Sequence, residues 1–298
     1  MALAALRSRN ASLRFPNAVV LVVGGTSGLG RACAVRLADA GFQVFVVGRD
    51  AARGQEVVAS LATSSDTAGP HAFVQCDASR IAAVRACARD VASRTPRLDV
   101  LVLPQGIATI QGRTPTDEGL DVKMSLHYFS RVAFILELLP LLRSSPMGGR
   151  VLSVLSAGVH GQYAHWSDDF ELQSHYSIKN AADAAGFYTD AALDSLSRDP
   201  ANAGVRFVHQ APGFVATSWG TEMPLPVRGL VRVLQSVFAK KPGDAAEFLV
   251  DGLLRKEPEK GGLLLLSETG GAAKPVAAHE AARDGIWNKT LERLGRIA

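Results

Sequence analysis

The sequence predicts an α/β fold: a single doubly wound parallel sheet of about seven strands, with helices on both faces. Three observations predict it. Short, near-continuous apolar runs such as Val19–Val23 (VVLVV) suit strands that are buried on both faces, as parallel sheets are. Stretches of helical period separate these runs, and repeated βα units close as right-handed crossovers. A glycine-rich turn, GGTSGLG at 24–30, joins the first apolar run to the first helical one.

The elements follow in order. The first strand is expected over 18–23 and the first helix over 28–40; a second strand over 43–47 precedes a helix over 50–62 with Asp50 as its N-cap. A third strand (72–76) leads to a helix (79–93), and a fourth strand (98–103) leads to a long helix (117–142). The fifth strand (150–155) precedes another long helix (174–197), and strands over 205–209 and 262–267 complete the sheet. Residues 1–16 read as an N-terminal helix or arm. Residues 17–298 read as one domain, with a substrate loop or lid at about 218–240.

Bulk properties exclude several classes. The 32 basic and 28 acidic residues leave a net charge of +4, spread without basic blocks, so a nucleic-acid surface is not expected. Three cysteines are too few for a disulfide framework, which favours a reduced, cytoplasmic setting. The arginines and missing acids of the first 16 residues faintly suggest a presequence, but a short helix leading into the first strand is the preferred reading. Apolar runs fall short of a membrane span. His160 and His165 lie near each other without a third ligand, so no metal site is expected.

The chemistry-bearing residues fall at the carboxyl ends of the expected strands, where doubly wound sheets bind ligands. Gly24, Gly28 and Gly30 let the backbone approach a phosphate at the first helix N-terminus, with Thr26, Ser27 and Leu29 in the same loop. Arg49 follows Gly48 where an acid would hold a ribose 2′-hydroxyl, so a 2′-phosphate, and NADP rather than NAD, is expected. Asp77 suits an adenine contact or a helix cap. Ser156, Tyr176 and Lys179 could polarise a carbonyl and supply a proton, the lysine lowering the tyrosine pKa. On one helix, separations of three or four share a face, so Tyr176 and Lys179 are expected to converge. In another register His175 takes the tyrosine position.

Residues 19–217 resemble the short-chain dehydrogenase/reductase family, with a Rossmann-type fold. Within it they look most like a fungal group carrying the pattern SxGxHGxYxH…HYSxKxAADAAGF. The resemblance makes Gly24, Gly28 and Gly30 the cofactor loop, Ser156 the serine after the fifth strand, and Pro212, Gly213, Val215 and Thr217 the nicotinamide-side turn. There are three departures. Tyr176 and Lys179 are three apart rather than four; Leu103-Pro104-Gln105-Gly106 replaces Asn-Asn-Ala-Gly, leaving only Gly106; and His127 stands for an asparagine of the following helix. Tyr163, Trp166, Phe170, Trp219 and Met223 could wall an apolar pocket.

The expected function is an NADP-dependent oxidoreductase interconverting a ketone or aldehyde and an alcohol. Its substrate is expected to be small and lipophilic, and the fungal likeness points toward secondary metabolism. Composition leaves room for a homo-oligomer. The alternative is a dinucleotide-binding scaffold or redox sensor with an altered active site.

Overall fold

The computed structural model describes residues 2–61, 67–216, 239–255 and 262–297. Strands β1 (Val19–Val23), β2 (Gln43–Gly48), β3 (Ala72–Gln75), β4 (Val100–Leu103), β5 (Gly149–Val154), β6 (Val205–Gln210) and β7 (Leu263–Leu266) form one sheet. Its order is β3-β2-β1-β4-β5-β6-β7, and every neighbouring pair is parallel. The order reverses between β1 and β4, so the crevice for a ligand opens over their carboxyl ends.

Helices α1 (Leu3–Ala11), α2 (Gly28–Asp39), α3 (Ala51–Ser60) and α4 (Ile81–Arg94) precede the centre of the chain. A short helix α5 (Val122–Met124), a π-helical turn at Ser125–Phe129, and α6 (Ser130–Arg143) run on without a break. Beyond them lie α7 (Ile178–Arg198), α8 (Pro242–Arg255) and α9 (His279–Gly295).

Central strands are apolar at every position because both faces are covered: β1 and β4 are wholly buried. One core packs Leu21, Phe45 and Leu101 against α4, α6 and α7. The other packs Val20, Val22 and Val102 against α2 and α8. The stretch Val122–Arg143 is long and apolar enough to cross a membrane by composition, yet 67% of its 18-residue apolar window is buried inside this fold. Its hydrophobicity serves the core between α4 and α7.

Two boundaries differ from the sequence reading and matter for the site. The long fourth helix begins at Val122, where Asp121 accepts from the Lys123 and Met124 N–H groups, rather than at residue 117. The helix after β5 begins at Ile178, where the Ser177 hydroxyl accepts from Asn180 N–H at 2.9 Å, rather than at residue 174. Helices α8 and α9 escaped the sequence reading, although both carry buried apolar stripes.

Candidate active site

The loop between β1 and α2 turns tightly at its glycines. Gly24 adopts φ +73° and lies against Gln105, within 3.2 Å of where its own Cβ would stand. A Cβ on Gly30 would overlap the Gly24 carbonyl oxygen. Any side chain at either position would therefore push the turn open. Ser27 is the N-cap of α2, but its hydroxyl makes no capping bond. The free N–H groups of this first turn, with Gly28 and Leu29 on it, suit an anion. The Thr26 methyl packs where a Cβ on Gly48 would lie, which accounts for glycine at the end of β2.

Arg49 is exposed just beyond β2, and its carbonyl accepts from the Gln75 amide at 3.0 Å. Asp50 caps α3 through the Arg53 N–H at 3.0 Å. Asp77 accepts from the Ser79 N–H (3.0 Å) and hydroxyl (2.8 Å), an Asx turn that leaves its second oxygen for a ligand. Pro212 and Gly213 follow β6, and Gly213 adopts φ +74°. Glu268 leans over this turn so closely that a Cβ on Gly213 would overlap its carboxylate. Val215 bridges to Lys240, whose ammonium lies 3.3 Å from Glu268. Thr217, Trp219, Met223 and most of the expected lid lie outside the described residues.

The catalytic expectation is corrected at Lys179. Tyr176 stands before the Ser177 cap, outside α7, so the shared helical face that would have joined it to Lys179 does not exist. The Lys179 side chain is 80% exposed and ion-paired with Asp183 one turn on. Lys123 meets Tyr176 instead. Its ammonium donates to the Tyr176 hydroxyl at 2.8 Å and to the carbonyls of Gln111 (2.8 Å) and Gly112 (3.2 Å), so all three of its protons are used. Burial pushes the Tyr176 phenol up to about 12, with Asp121 adding and Arg113 opposing. The expected lowering is absent. Burial also pulls the Lys123 ammonium below its ordinary value, against the pull of Asp121.

His175 points elsewhere. Its ring stacks on His165 with centroids 3.7 Å apart and planes within 4°, and its Nδ1 lies 3.2 Å from Asp169. His165, Asp168 and His175 bring ligand atoms within 4.8 Å of one another, a cluster the sequence reading missed. Parallel rings hold their in-plane lone pairs in parallel planes, and both Nδ1 atoms already face carboxylates. One ring would have to turn before a single ion could use both.

Gly106 lies against His127: a Cβ on it would come within 2.6 Å of Nε2. His127 Nε2 accepts the Ile107 N–H at 3.0 Å, and burial, with Arg131 and Lys123 nearby, pulls this imidazole down to about 3. It is a neutral ring that carries its proton on Nδ1. It sits in the π-helical turn, a feature frequent at functional sites. Where the family's asparagines are missing, Arg131 supplies the tie. This buried guanidinium donates to the Gln105 carbonyl (2.5 Å), the Ser153 hydroxyl (2.9 Å) and the Val154 carbonyl (2.9 Å), locking the ends of β4 and β5. A lone arginine in the apolar run FSRVAFILELL was the signal for it.

Ser156 stands just beyond β5, half-buried, with its N–H donating to His209 Nε2 at 3.0 Å. The aromatic wall is also corrected. Tyr163 and Phe170 are buried, Phe170 stacking on Tyr188 at 4.6 Å, and Trp166 packs on Gly285 of α9. They anchor the loop to the helices, because a long loop without regular structure needs apolar pegs to hold one course.

A parallel sheet with a glycine-rich helix N-terminus at its reversal point, and a tyrosine after β5 paired with a lysine after β4, defines a dinucleotide-binding α/β protein. The family model for short chain dehydrogenases matches residues 18–228, and the chain belongs to that oxidoreductase family. The chain is 31% identical to the oxidoreductase AN1596 of Emericella nidulans, with 80% of this chain and 72% of the relative covered. It is 31% identical to the oxidoreductase andH of Emericella variicolor, covering 74% of this chain but only 62% of that protein. It is 28% identical to a polyprenol dehydrogenase of Mus musculus, covering 94% and 84%. Among solved structures, an uncharacterised Mycobacterium paratuberculosis protein matches with TM-score 0.71 at 19% identity, covering 96% and 97%. The Pseudomonas aeruginosa RhlG/NADP complex matches with TM-score 0.63 at 22% identity, covering 87% and 97%. At such identities these two matches bear on the fold.

Proposed function

We propose that the chain is an NADP-dependent oxidoreductase that interconverts a ketone or aldehyde and an alcohol on a lipophilic substrate, working in the cytoplasm. The observation that carries the reading is the Tyr176 hydroxyl held by the Lys123 ammonium at 2.8 Å. The glycine cradle supports the cofactor, and Arg49 supports NADP over NAD by offering a guanidinium where a 2′-phosphate would lie. When bound, the reduced nicotinamide supplies the hydride.

The protein's own residues handle the proton. Because Lys123 donates to the phenol oxygen, the Tyr176 O–H proton is free to go to a substrate oxygen. A phenol near 12 is neutral at working pH, so it serves as an acid for reduction and only weakly as a base for oxidation. Ser156 polarises the same oxygen.

Six large hydrophobic side chains are exposed among the described residues, and four of them belong to the segments that follow the carboxyl ends of β4, β5 and β6. Ile110 follows β4, Val159 follows β5, Ile178 opens α7 and Phe214 follows β6. Exposed apolar side chains on these segments support a lipophilic substrate, as does the alcohol in the name of the mouse relative. All three cysteines are unpaired and buried, which supports a reducing compartment.

The test is NADPH oxidation with a panel of lipophilic ketones and aldehydes, run beside Tyr176→Phe. Turnover falling by roughly 100-fold or more is expected; equal turnover would remove Tyr176 from the mechanism. The scaffold reading is favoured by one observation, the separation of Lys179 from Tyr176. Tight NADPH binding with no turnover of any carbonyl would select it.

A further inference from the structure

Behind Ser156 lies a buried array that the proton donor does not use. The Asp190 carboxylate, on α7, sits between two histidines: His209 Nδ1 at 2.5 Å and His160 Nε2 at 3.3 Å. The side chains of Asp190 and His209 are 0% exposed and that of His160 is 2% exposed. His160 Nδ1 lies 2.8 Å from the Ser156 carbonyl oxygen and 3.3 Å from the Ser156 hydroxyl. A Cβ on Gly186 would overlap both the Ser156 hydroxyl and the His160 ring, so α7 gives up a side chain where the array passes.

The partners settle the protons. His209 Nε2 accepts a backbone N–H, so its proton is on Nδ1 and points at Asp190. Both nitrogens of His160 face groups that only accept, a carbonyl on one side and a carboxylate on the other. Nδ1 therefore carries a proton, and Asp190, 3.3 Å from Nε2, stands where it would balance a second one. The Nδ1 proton is already committed to Ser156, so His160 cannot take the Ser156 proton, which excludes a hydrolytic serine–histidine pair. That proton bonds the Ser156 carbonyl at 2.8 Å and also lies toward the Ser156 hydroxyl oxygen, 3.3 Å from Nδ1, which leaves the Ser156 O–H to donate outward.

We propose that His160, seated on Asp190, is a positioning residue that fixes the Ser156 hydroxyl as a donor to the substrate oxygen. This rests on the carbonyl-reduction reading above. The charged groups around His160 agree with it. Burial alone would lower its pKa, but Asp190, the Ser156 carbonyl and the more distant Asp183 together raise it. Asp183 is itself paired with Lys179 and accepts the Gly161 N–H at 2.8 Å. His209 is kept neutral by burial, aided by His160 and Arg131, despite Asp190.

The experiment is a double-mutant cycle on kcat for NADPH-dependent ketone reduction, with Ser156→Ala, His160→Ala and the double variant. His160→Ala should lower kcat by about 10-fold or more, with KM for NADPH unchanged, and should cost less than about twofold once Ser156 is alanine. In the wild type kcat should fall as pH rises through the His160 pKa, and this limb should vanish in His160→Ala. Nitrogen NMR of the histidine rings in the unmodified protein should show His160 protonated on both nitrogens at neutral pH and His209 on Nδ1 alone. This measurement stands even if the variants fail to fold.

An equal cost of His160→Ala with and without Ser156, or a neutral His160 at pH 7, overturns the proposal alone. A wild type that reduces no carbonyl while binding NADPH overturns the reduction reading, and the proposal with it.

Discussion

Lys123 and Tyr176 lie 53 positions apart, and the lysine ammonium donates to the tyrosine hydroxyl at 2.8 Å. Lys179, three residues from the same tyrosine, turns away to Asp183. The cation that orients the phenol thus comes from the helix after β4 and not from the helix after β5. Lys123→Met should lower kcat for ketone reduction by about 10- to 100-fold, whereas Lys179→Met should stay within about threefold. Steady-state assays of the two variants side by side check this, and the reverse order would restore Lys179 to the mechanism.

The cradle makes a stereochemical prediction. Gly30→Ala places a methyl on the Gly24 carbonyl, so the β1–α2 turn must open. NADPH affinity should fall by at least about 100-fold, read by quenching of protein fluorescence or by calorimetry. Retained affinity would show that the phosphate does not seat there.

Arg49 should decide between the two nicotinamide cofactors. A guanidinium forms charge-assisted bonds to phosphate worth roughly 1.5–3 kcal/mol, about 10- to 100-fold in affinity. Arg49→Ala should raise KM for NADPH by that factor and leave KM for NADH within about twofold. An equal change in both would assign Arg49 to the surface.

Acid should weaken the fold through Asp190. Burial alone would raise this carboxyl, but the contacts with His160 and His209 outweigh it and hold it at about 2, below the ordinary 3.8. A depressed folded-state pKa contributes stability that is present above about 4 and lost as pH falls toward 2. Its share is roughly 2 kcal/mol, from about 1.4 kcal/mol per pH unit. Thermal melting followed by circular dichroism should show a falling Tm between pH 4 and pH 2, with a smaller fall in Asp190→Asn. Identical acid profiles for the two proteins would rule out this role.

Most of the sheet could be read from residues 18 to 155, because strands buried on both faces must be apolar throughout and such runs stand out. The cradle was legible for a related reason: glycines at 24, 28 and 30 are needed where the backbone turns and a ligand approaches. The ends of helices were less legible. Ser174, Ser177 and Asp117 are all plausible starts by residue type, and only the hydrogen bond from Asn180 N–H to the Ser177 hydroxyl selects among the serines. The aromatics after β5 misled because an anchored ring and a pocket-lining ring look alike in a sequence. His160, Asp190 and His209 left a faint trace, as polar residues in an apolar loop start, helix and strand.

By itself, the sequence determined the doubly wound α/β class, the glycine turn after β1 and the candidacy of Ser156 and Tyr176, since each depends on residues close together in the chain. Only the tertiary structure decided which cation reaches Tyr176, what stands behind Ser156 and what replaces the missing asparagines. Those partners, Lys123, His160 with Asp190, and Arg131, belong to elements brought together by sheet order and helix packing. Their pairing follows from burial: a phenol, a carboxylate and a guanidinium withdrawn from water each require partners within about 3 Å, and the fold places those partners there.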